Sequence, residues 1–223
     1  MRIKGVEIEN FRLLRDVAVG LEDRTTLIVG RNNSGKTSIA ELFRRLLGEK
    51  SPSFRVEDFS LGCHERFWTA FEAFQAGAVA PDVVTLLPSI KVTIDITYDV
   101  DSPDLGPLSE CIVDLDPNCS DARLILTYGP RPTAPATLFT DLAVGEDVAA
   151  NRSTLFRALG SRVPSAYAAS LEAVDPNDPT NRKSLEPKTL TALVRGGFIN
   201  AQRGLDDDTH RERDVLGKVV EVL

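Results

Sequence analysis

Residues Gly30 to Thr37 read GRNNSGKT, and this octapeptide governs how the rest of the 223-residue chain is interpreted. It matches the pattern GxxxxGK[ST], in which glycines allow a tight turn whose backbone N–H groups point inward at bound phosphates. Lys36 would bridge the β- and γ-phosphates and also act as a catalytic residue, and the Thr37 hydroxyl would bind Mg²⁺. The octapeptide therefore predicts a site for ATP with magnesium.

The segments on either side of this phosphate loop have the periodicities of a strand and a helix. Thr26 to Val29 is a short apolar run that ends at Gly30, so we predict a strand there. From Lys36 onward, apolar residues recur on one helical face until Gly48, and the start of such a helix attracts anions. The predicted nucleotide contacts in the loop and first helical turn are Gly30, Arg31, Asn32, Asn33, Ser34, Gly35, Lys36, Thr37 and Ser38.

Further elements give a mixed α/β fold. The opening IKGVEIENF reads as a strand, and His64 to Ala76 reads as a helix with an aromatic stripe, more typical of core than of a base-stacking platform. Ile90 to Val100 alternates apolar and polar residues, as Arg123 to Tyr128 does more briefly, so these two strands are predicted to pair antiparallel. A helical stretch near Ser153 to Val174 and a solvated loop over Asp175 to Pro187 are predicted next.

Composition limits the functional classes. The chain is 42% hydrophobic, which is enough for a core, and it contains neither an apolar run of membrane-spanning length nor an apolar signal core, so we expect a cytoplasmic protein. Its net charge of -7 disfavours a broad nucleic-acid footprint. Residues 1–55 nevertheless hold 11 Lys and Arg against 7 Asp and Glu. The three cysteines lack CxxC spacing and indicate neither a disulfide framework nor a zinc site.

The loop sequence NNSGKTS, together with the N-terminal IENFRLL, resembles the ABC-type ATPase heads of the SMC, RecF and OLD families. The resemblance implies the N-terminal lobe of a P-loop NTPase of ABC type, with an antiparallel β subdomain and helices. It also implies that Arg12 approaches the nucleotide; without the resemblance, Arg12 is equally well an exposed charge at a strand end. The dinucleotide pattern GxGxxG does not fit the glycine spacing.

Residues 196–208 read GGFINAQRGLDDD and resemble the Q-loop of such heads. The residues around Gln202 most resemble those of the OLD-like ATP-dependent endonucleases. The resemblance gives Gln202 a catalytic and magnesium-binding role at the end of a strand over Phe198 to Asn200. That strand is expected beside Thr26 to Val29, which would bring Gln202 close to Thr37. The acidic run Asp206 to Asp208 is expected to be solvated and is assigned no ligand role.

An ABC-type head also requires an LSGGQ-like signature, a strand ending in Asp-Glu and a switch histidine, and none of these follows Gln202. Residues 209–223 have the apolar stripe of an outgoing helix. We therefore expect an N-terminal lobe, either an excised fragment or a split-gene product, completed by a C-terminal half or by a second copy in a homodimer. The resemblance implies DNA as a partner of the complete protein, in repair or phage defence, and a nuclease domain that this sequence does not contain.

Two other functions remain open at this point. A stand-alone P-loop NTPase or kinase for a small molecule would need its own acid, for which Asp95 and Asp114 are candidates. Asp95 lies on the polar face of its predicted strand, where a solvated role is the default. A module that senses nucleotide without hydrolysis is the third possibility. ATP hydrolysis is thus expected only once the missing half is present.

Overall fold

A computed structural model describes residues 1–48, 51–102, 104–114, 116, 119–142 and 145–194. Six strands in this part of the chain form one antiparallel sheet in the order β2-β1-β3-β4-β5-β6. The strands are β1 (Arg2–Phe11), β2 (Leu14–Gly20), β3 (Ile90–Thr97), β4 (Asp121–Pro130), β5 (Tyr167–Val174) and β6 (Arg182–Leu185). The antiparallel pairing of β3 with β4 confirms the prediction from their alternating residues.

Six α-helices and two short 3₁₀ helices accompany the sheet. The α-helices are α1 (Lys36–Gly48), α2 (Leu61–Gln75), α3 (Ala80–Leu86), α4 (Ala134–Phe139), α5 (Val148–Ala166) and α6 (Lys188–Leu193). The 3₁₀ helices span Val56–Asp58 and Gly106–Cys111. The predicted helix after the phosphate loop is confirmed and ends at Gly48, and the predicted aromatic helix is confirmed as α2. None of the described helices is both long enough and apolar enough to cross a membrane.

One continuous core joins the sheet to the helices. Along β4 every second residue is buried, which is the period of a strand with one face on the core. The rings of Phe54, Phe59, Tyr128 and Tyr167 pack in two edge-to-face and two tilted pairs, with centroids between 5.2 and 6.4 Å apart. Each buried tyrosine hydroxyl donates to a backbone carbonyl, Tyr128 to Phe54 and Tyr167 to Pro88. The aromatic stripe of α2 joins this core, as predicted.

The predicted strand over Thr26 to Val29 is wrong for this structure. Residues 25–30 carry no regular secondary structure, and the side chains of Leu27 and Val29 are 81% and 77% exposed. A strand requires a neighbour to take its backbone hydrogen bonds, and no strand of the described sheet pairs with this segment. The sequence showed that the segment is apolar, but a local pattern could not show whether a neighbouring strand is present.

Two later boundaries also differ from the predictions. The stretch near Ser153 to Val174 is helical only to Ala166, because Tyr167–Val174 pairs with both β4 and β6 as β5. The predicted loop over Asp175 to Pro187 contains the short exposed edge strand β6. Residues Lys188–Leu193, for which no element was predicted, form α6. The predicted strand at 198–200, Gln202 and the helix at 209–223 lie outside the described residues.

Candidate nucleotide-binding site

The tip of the β1–β2 hairpin is held against the 3₁₀ helix Val56–Asp58. Asn10 and Arg12 have positive φ angles of 65° and 49°, which a tight turn demands and which side chains rarely adopt. Backbone hydrogen bonds hold this strained turn, from the Arg12 amide to the Asp58 carbonyl and from the Ser60 amide to the Asn10 carbonyl. The hairpin tip is therefore a rigid support beside the phosphate loop.

Gly35 is required by its backbone conformation, whereas a Cβ on Gly30 would closely approach only the Ser34 side chain, whose rotation could relieve the contact. A Cβ on Gly30 would lie 2.6 Å from Ser34 Oγ, which is closer than atoms normally approach. Gly35 has a φ of +92°, and a Cβ there would lie 2.8 Å from the Leu14 side chain at the hairpin tip. Gly35 therefore links the loop to the hairpin by close packing as well as by its backbone conformation.

Lys36 closes the loop on itself. Its Nζ donates to the carbonyl oxygens of Gly30 at 2.6 Å and Arg31 at 2.7 Å, with Ser34 Oγ 3.4 Å away. The cation thus sits inside the curl of the loop, and α1 begins at the same residue with the unpaired N–H groups of a helix start. This arrangement concentrates positive charge and N–H donors where a phosphate chain would lie.

The remaining predicted contacts surround this cation. Thr37 lies in the first turn of α1 with its side chain exposed, whereas Ser38 is 6% exposed and packs inward. Arg31, Asn32, Asn33 and Ser34 are exposed on the loop, and Asn33 has a φ of 63°. The residues present fit ATP and Mg²⁺: a lysine and N–H donors for phosphates, and a hydroxyl for the ion.

Arg12 is bound to Asp58 rather than to the loop. Its Nε and Nη2 donate to Asp58 Oδ1 at 2.9 and 2.8 Å, and in the described part of the chain no hydrogen bond or ion pair joins Arg12 to residues 30–38. Asp58 Oδ2 accepts from Arg45 Nη1 at 2.6 Å and from the Arg55 amide at 3.0 Å. The predicted contact of Arg12 with nucleotide therefore stays a prediction.

Asp58 is a buried charge that sequence reasoning missed. Its side chain is only 4% exposed, and burial alone would raise its pKa. Hydrogen bonds from the Arg55 amide and from the Arg12 and Arg45 guanidiniums outweigh burial, so the pKa of Asp58 lies below its usual value. No periodicity identifies such a residue, because its partners come from the β1–β2 turn and from α1 as well as from its own turn.

A second carboxylate extends this network along α1. Glu41 Oε1 accepts from both Arg44 and Arg45 at 2.8 Å. The Arg44 hydrogen bonds, with those of Arg45, lower the pKa of Glu41 from 4.5 to about 2, although partial burial opposes the shift. Arg45 therefore bridges Glu41 and Asp58 and connects α1 to the 3₁₀ helix.

The acids considered for a stand-alone enzyme lie elsewhere. Asp95 pairs with Arg123 across β3 and β4, with Arg123 Nε 2.7 Å from Asp95 Oδ1. Asp114 lies in the loop before β4, where it accepts from the Asp116 amide. Among the described residues no carboxylate contacts the phosphate loop, and no group of three His, Cys, Asp or Glu side chains is arranged to hold a metal ion. Gln202 and Asp206 to Asp208 lie outside this part of the chain.

A mixed α/β domain with a glycine loop, an inward lysine and a helix start at the same point belongs to the class of nucleotide-binding domains. The AAA ATPase domain family matches residues 1–190, and the chain belongs to that family. It therefore carries an ATP-binding ATPase domain. No curated protein matches the chain.

Proposed function

We propose that this domain is the nucleotide-binding lobe of an OLD-, RecF- or SMC-like ATPase that couples ATP binding and hydrolysis to DNA processing, in repair or phage defence. The observation that carries the proposal is the position of Lys36 Nζ inside the loop, 2.6 Å from the Gly30 carbonyl at the start of α1. A lysine held there lies at the point where the β- and γ-phosphates are expected, and it would exchange hydrogen bonds within the loop for bonds to the phosphates.

The apolar segment before the loop supports a lobe that another segment completes. Leu27, Ile28 and Val29 are consecutive and all exposed, so both faces of an extended chain here are open to water. A strand with two apolar faces is typical of the centre of a parallel sheet covered on both sides. We place the missing strand outside residues 1–194, either over the predicted strand Phe198 to Asn200 or in a second half or second copy.

Each residue at the site has a definite task in this proposal. Lys36 neutralises the phosphate chain, the loop N–H groups orient it, and Thr37 offers a hydroxyl oxygen to Mg²⁺. The ion, when bound, offsets charge that develops on the phosphates. Gln202 would reach the ion from the neighbouring strand end. The carboxylate that activates water comes from another segment, because none of the described residues brings one to the loop.

Calorimetry tests the nucleotide site. We expect the chain to bind ATP with Mg²⁺, and Lys36→Ala to weaken binding by about tenfold or more, the loss of a charge-assisted hydrogen bond. Lys188→Ala, an exposed lysine on α6, is the matched control and should bind as the wild type does. Equal affinity of the Lys36→Ala variant and the wild type, both folded by circular dichroism, would contradict the assignment.

Turnover separates this proposal from a stand-alone kinase or NTPase. The 223-residue chain by itself should hydrolyse ATP at background rates, because the described residues supply no general base at the loop. A rate within the range of roughly 1–100 per second that is typical of kinases would favour the stand-alone enzyme instead.

A further inference from the structure

An arginine-lined cavity lies beside the hairpin tip, separate from the phosphate loop. Its volume is about 610 Å³, and it is bounded by the hairpin, α1, the 3₁₀ helix Val56–Asp58 and the end of α5. Four of its eight described lining residues are arginines, namely Arg12, Arg44, Arg45 and Arg55, and Pro164 is the sole apolar one. No residue of the phosphate loop is among them.

Buried and half-buried carboxylates orient the arginines. Asp58 fixes Arg12 and Arg45, and Glu41 fixes Arg44 and Arg45, so three guanidiniums are held before any ligand arrives. The guanidinium of Arg55 is exposed and forms no ion pair with a carboxylate of the described chain. Side chains held in this way lose little entropy on binding an anion.

Donors remain available on Arg12 and Arg45. Arg12 binds Asp58 through Nε and Nη2, and Arg45 uses Nε and Nη1. Within the described residues, no hydrogen bond is formed by Arg12 Nη1 or Arg45 Nη2. Asp58 is itself buried, so an approaching ligand meets the guanidiniums before it meets that carboxylate. The cavity therefore presents cationic donors to solvent, alongside one exposed carboxylate of the lining, Glu57.

The lining excludes most organic ligands. Small-molecule sites are mostly apolar, with a few polar groups for orientation, whereas this lining is almost entirely charged. The planar guanidinium group of an arginine can donate two parallel hydrogen bonds to the oxygens of a phosphate group. The net charge of -7 further restricts any nucleic-acid contact to a confined patch such as this one.

We propose that the cavity binds a backbone phosphate of a nucleic acid, with Arg55 and Arg44 as the outer contacts and Arg12 and Arg45 beneath them. The site reads phosphates and not bases, since its lining offers no aromatic ring for stacking. This inference rests on the proposed role in DNA processing, and it assigns the DNA contact of this lobe to a surface distinct from the ATP loop.

Fluorescence anisotropy with a labelled 20-base-pair duplex and the full 223-residue chain tests the site over a series of salt concentrations. The variants are Arg55→Ala and the double variant Arg44→Ala/Arg55→Ala. Arg182→Ala is the control for the single variant and Arg182→Ala/Lys183→Ala is the control for the double variant, because each changes net charge equally but lies on β6, at the opposite edge of the sheet from the β1–β2 hairpin.

Each lost phosphate contact should reduce the slope of log K against log salt by about 0.9. Because Arg44 and Arg55 contact the same phosphate, we expect a drop of about 0.9 and a loss of about tenfold or more in affinity for the double variant, with both quantities unchanged in the control. If the double variant and the control bind the duplex equally, the proposal is overturned.

Two further measurements separate the sources of phosphate and the two sites. Pyrophosphate should compete with the duplex better than chloride does at the same ionic strength, and this advantage should be lost in the double variant. Pyrophosphate binding that depends on Arg44 and Arg55 in a chain that does not bind the duplex would overturn the nucleic-acid assignment. The double variant should bind ATP as the wild type does, because the cavity excludes the loop. Duplex binding in a chain that fails to bind ATP would contradict the proposed function while supporting this site.

Discussion

Gly35 in the phosphate loop packs directly against Leu14 at the start of β2, so that a Cβ on the glycine would lie 2.8 Å from Leu14 Cδ2. The contact couples the loop to the hairpin, and the hairpin is in turn held by backbone hydrogen bonds to residues 58–60. The loop conformation is therefore supported by tertiary packing as well as by glycine.

This contact predicts the effect of Gly35→Ala. Alanine would have to adopt a φ of +92° and displace Leu14, so we expect a loss of about 1–3 kcal/mol in the free energy of unfolding and weaker ATP binding. Urea unfolding and calorimetry measure the two effects. Gly48→Ala, at a site with open space around it, should be neutral or stabilise by up to about 1 kcal/mol. Similar losses in both variants would refute the steric explanation.

The buried carboxylate Asp58 predicts a large stability effect. Asp58→Asn removes the carboxylate that accepts charge-assisted hydrogen bonds from Arg12 and Arg45, and we expect a cost of about 1.5–3 kcal/mol because both guanidiniums border an open cavity. Glu65→Gln removes the exposed pair with Arg152 and should cost less than about 1 kcal/mol. Urea unfolding of the two variants measures both changes in the free energy of unfolding. Equal changes would show that Asp58 contributes no more to stability than an exposed ion pair does.

The lowered pKa of Glu41 predicts how its contribution depends on pH. Because the folded pKa of about 2 is below the unfolded value of 4.5, the stabilisation is complete above pH 4.5 and is lost as the pH falls toward 2. The difference in unfolding free energy between the wild type and Glu41→Gln should therefore shrink across that window. A difference that stays constant from pH 7 to pH 2 would argue against the ion pairs with Arg44 and Arg45.

The role proposed for Gln202 predicts a magnesium-specific defect. Gln202→Ala should weaken binding of ATP in the presence of Mg²⁺ and leave binding of metal-free ATP unchanged, because the amide oxygen is expected to reach the ion directly or through one water. Gln75 is the other glutamine in the sequence and lies exposed on α2, so Gln75→Ala is the control. If both variants bind Mg²⁺–ATP alike, Gln202 loses its assignment.

The sequence alone was enough to predict those elements whose glycine spacing or hydrophobic period lies within the element. The glycine spacing of residues 30–37 predicted the phosphate loop, the 3.6-residue period located α1 and α2, and strict alternation located β3 and β4. Each of these depends on interactions within a few residues or on which face is apolar, and both are readable along the chain. Family membership in the AAA ATPase domains agrees with that reading.

Tertiary structure decided what depends on distant neighbours. Thr26 to Val29 has the composition of a strand but does not form a strand in this structure. Strand formation requires a neighbouring strand, and a local pattern cannot show whether one is present. Tyr167–Val174 became a strand by pairing with β4 and β6. The anionic centre at Asp58 and the arginine cavity arise only where the hairpin tip, α1 and the 3₁₀ helix meet, since their charges come from residues up to 46 positions apart.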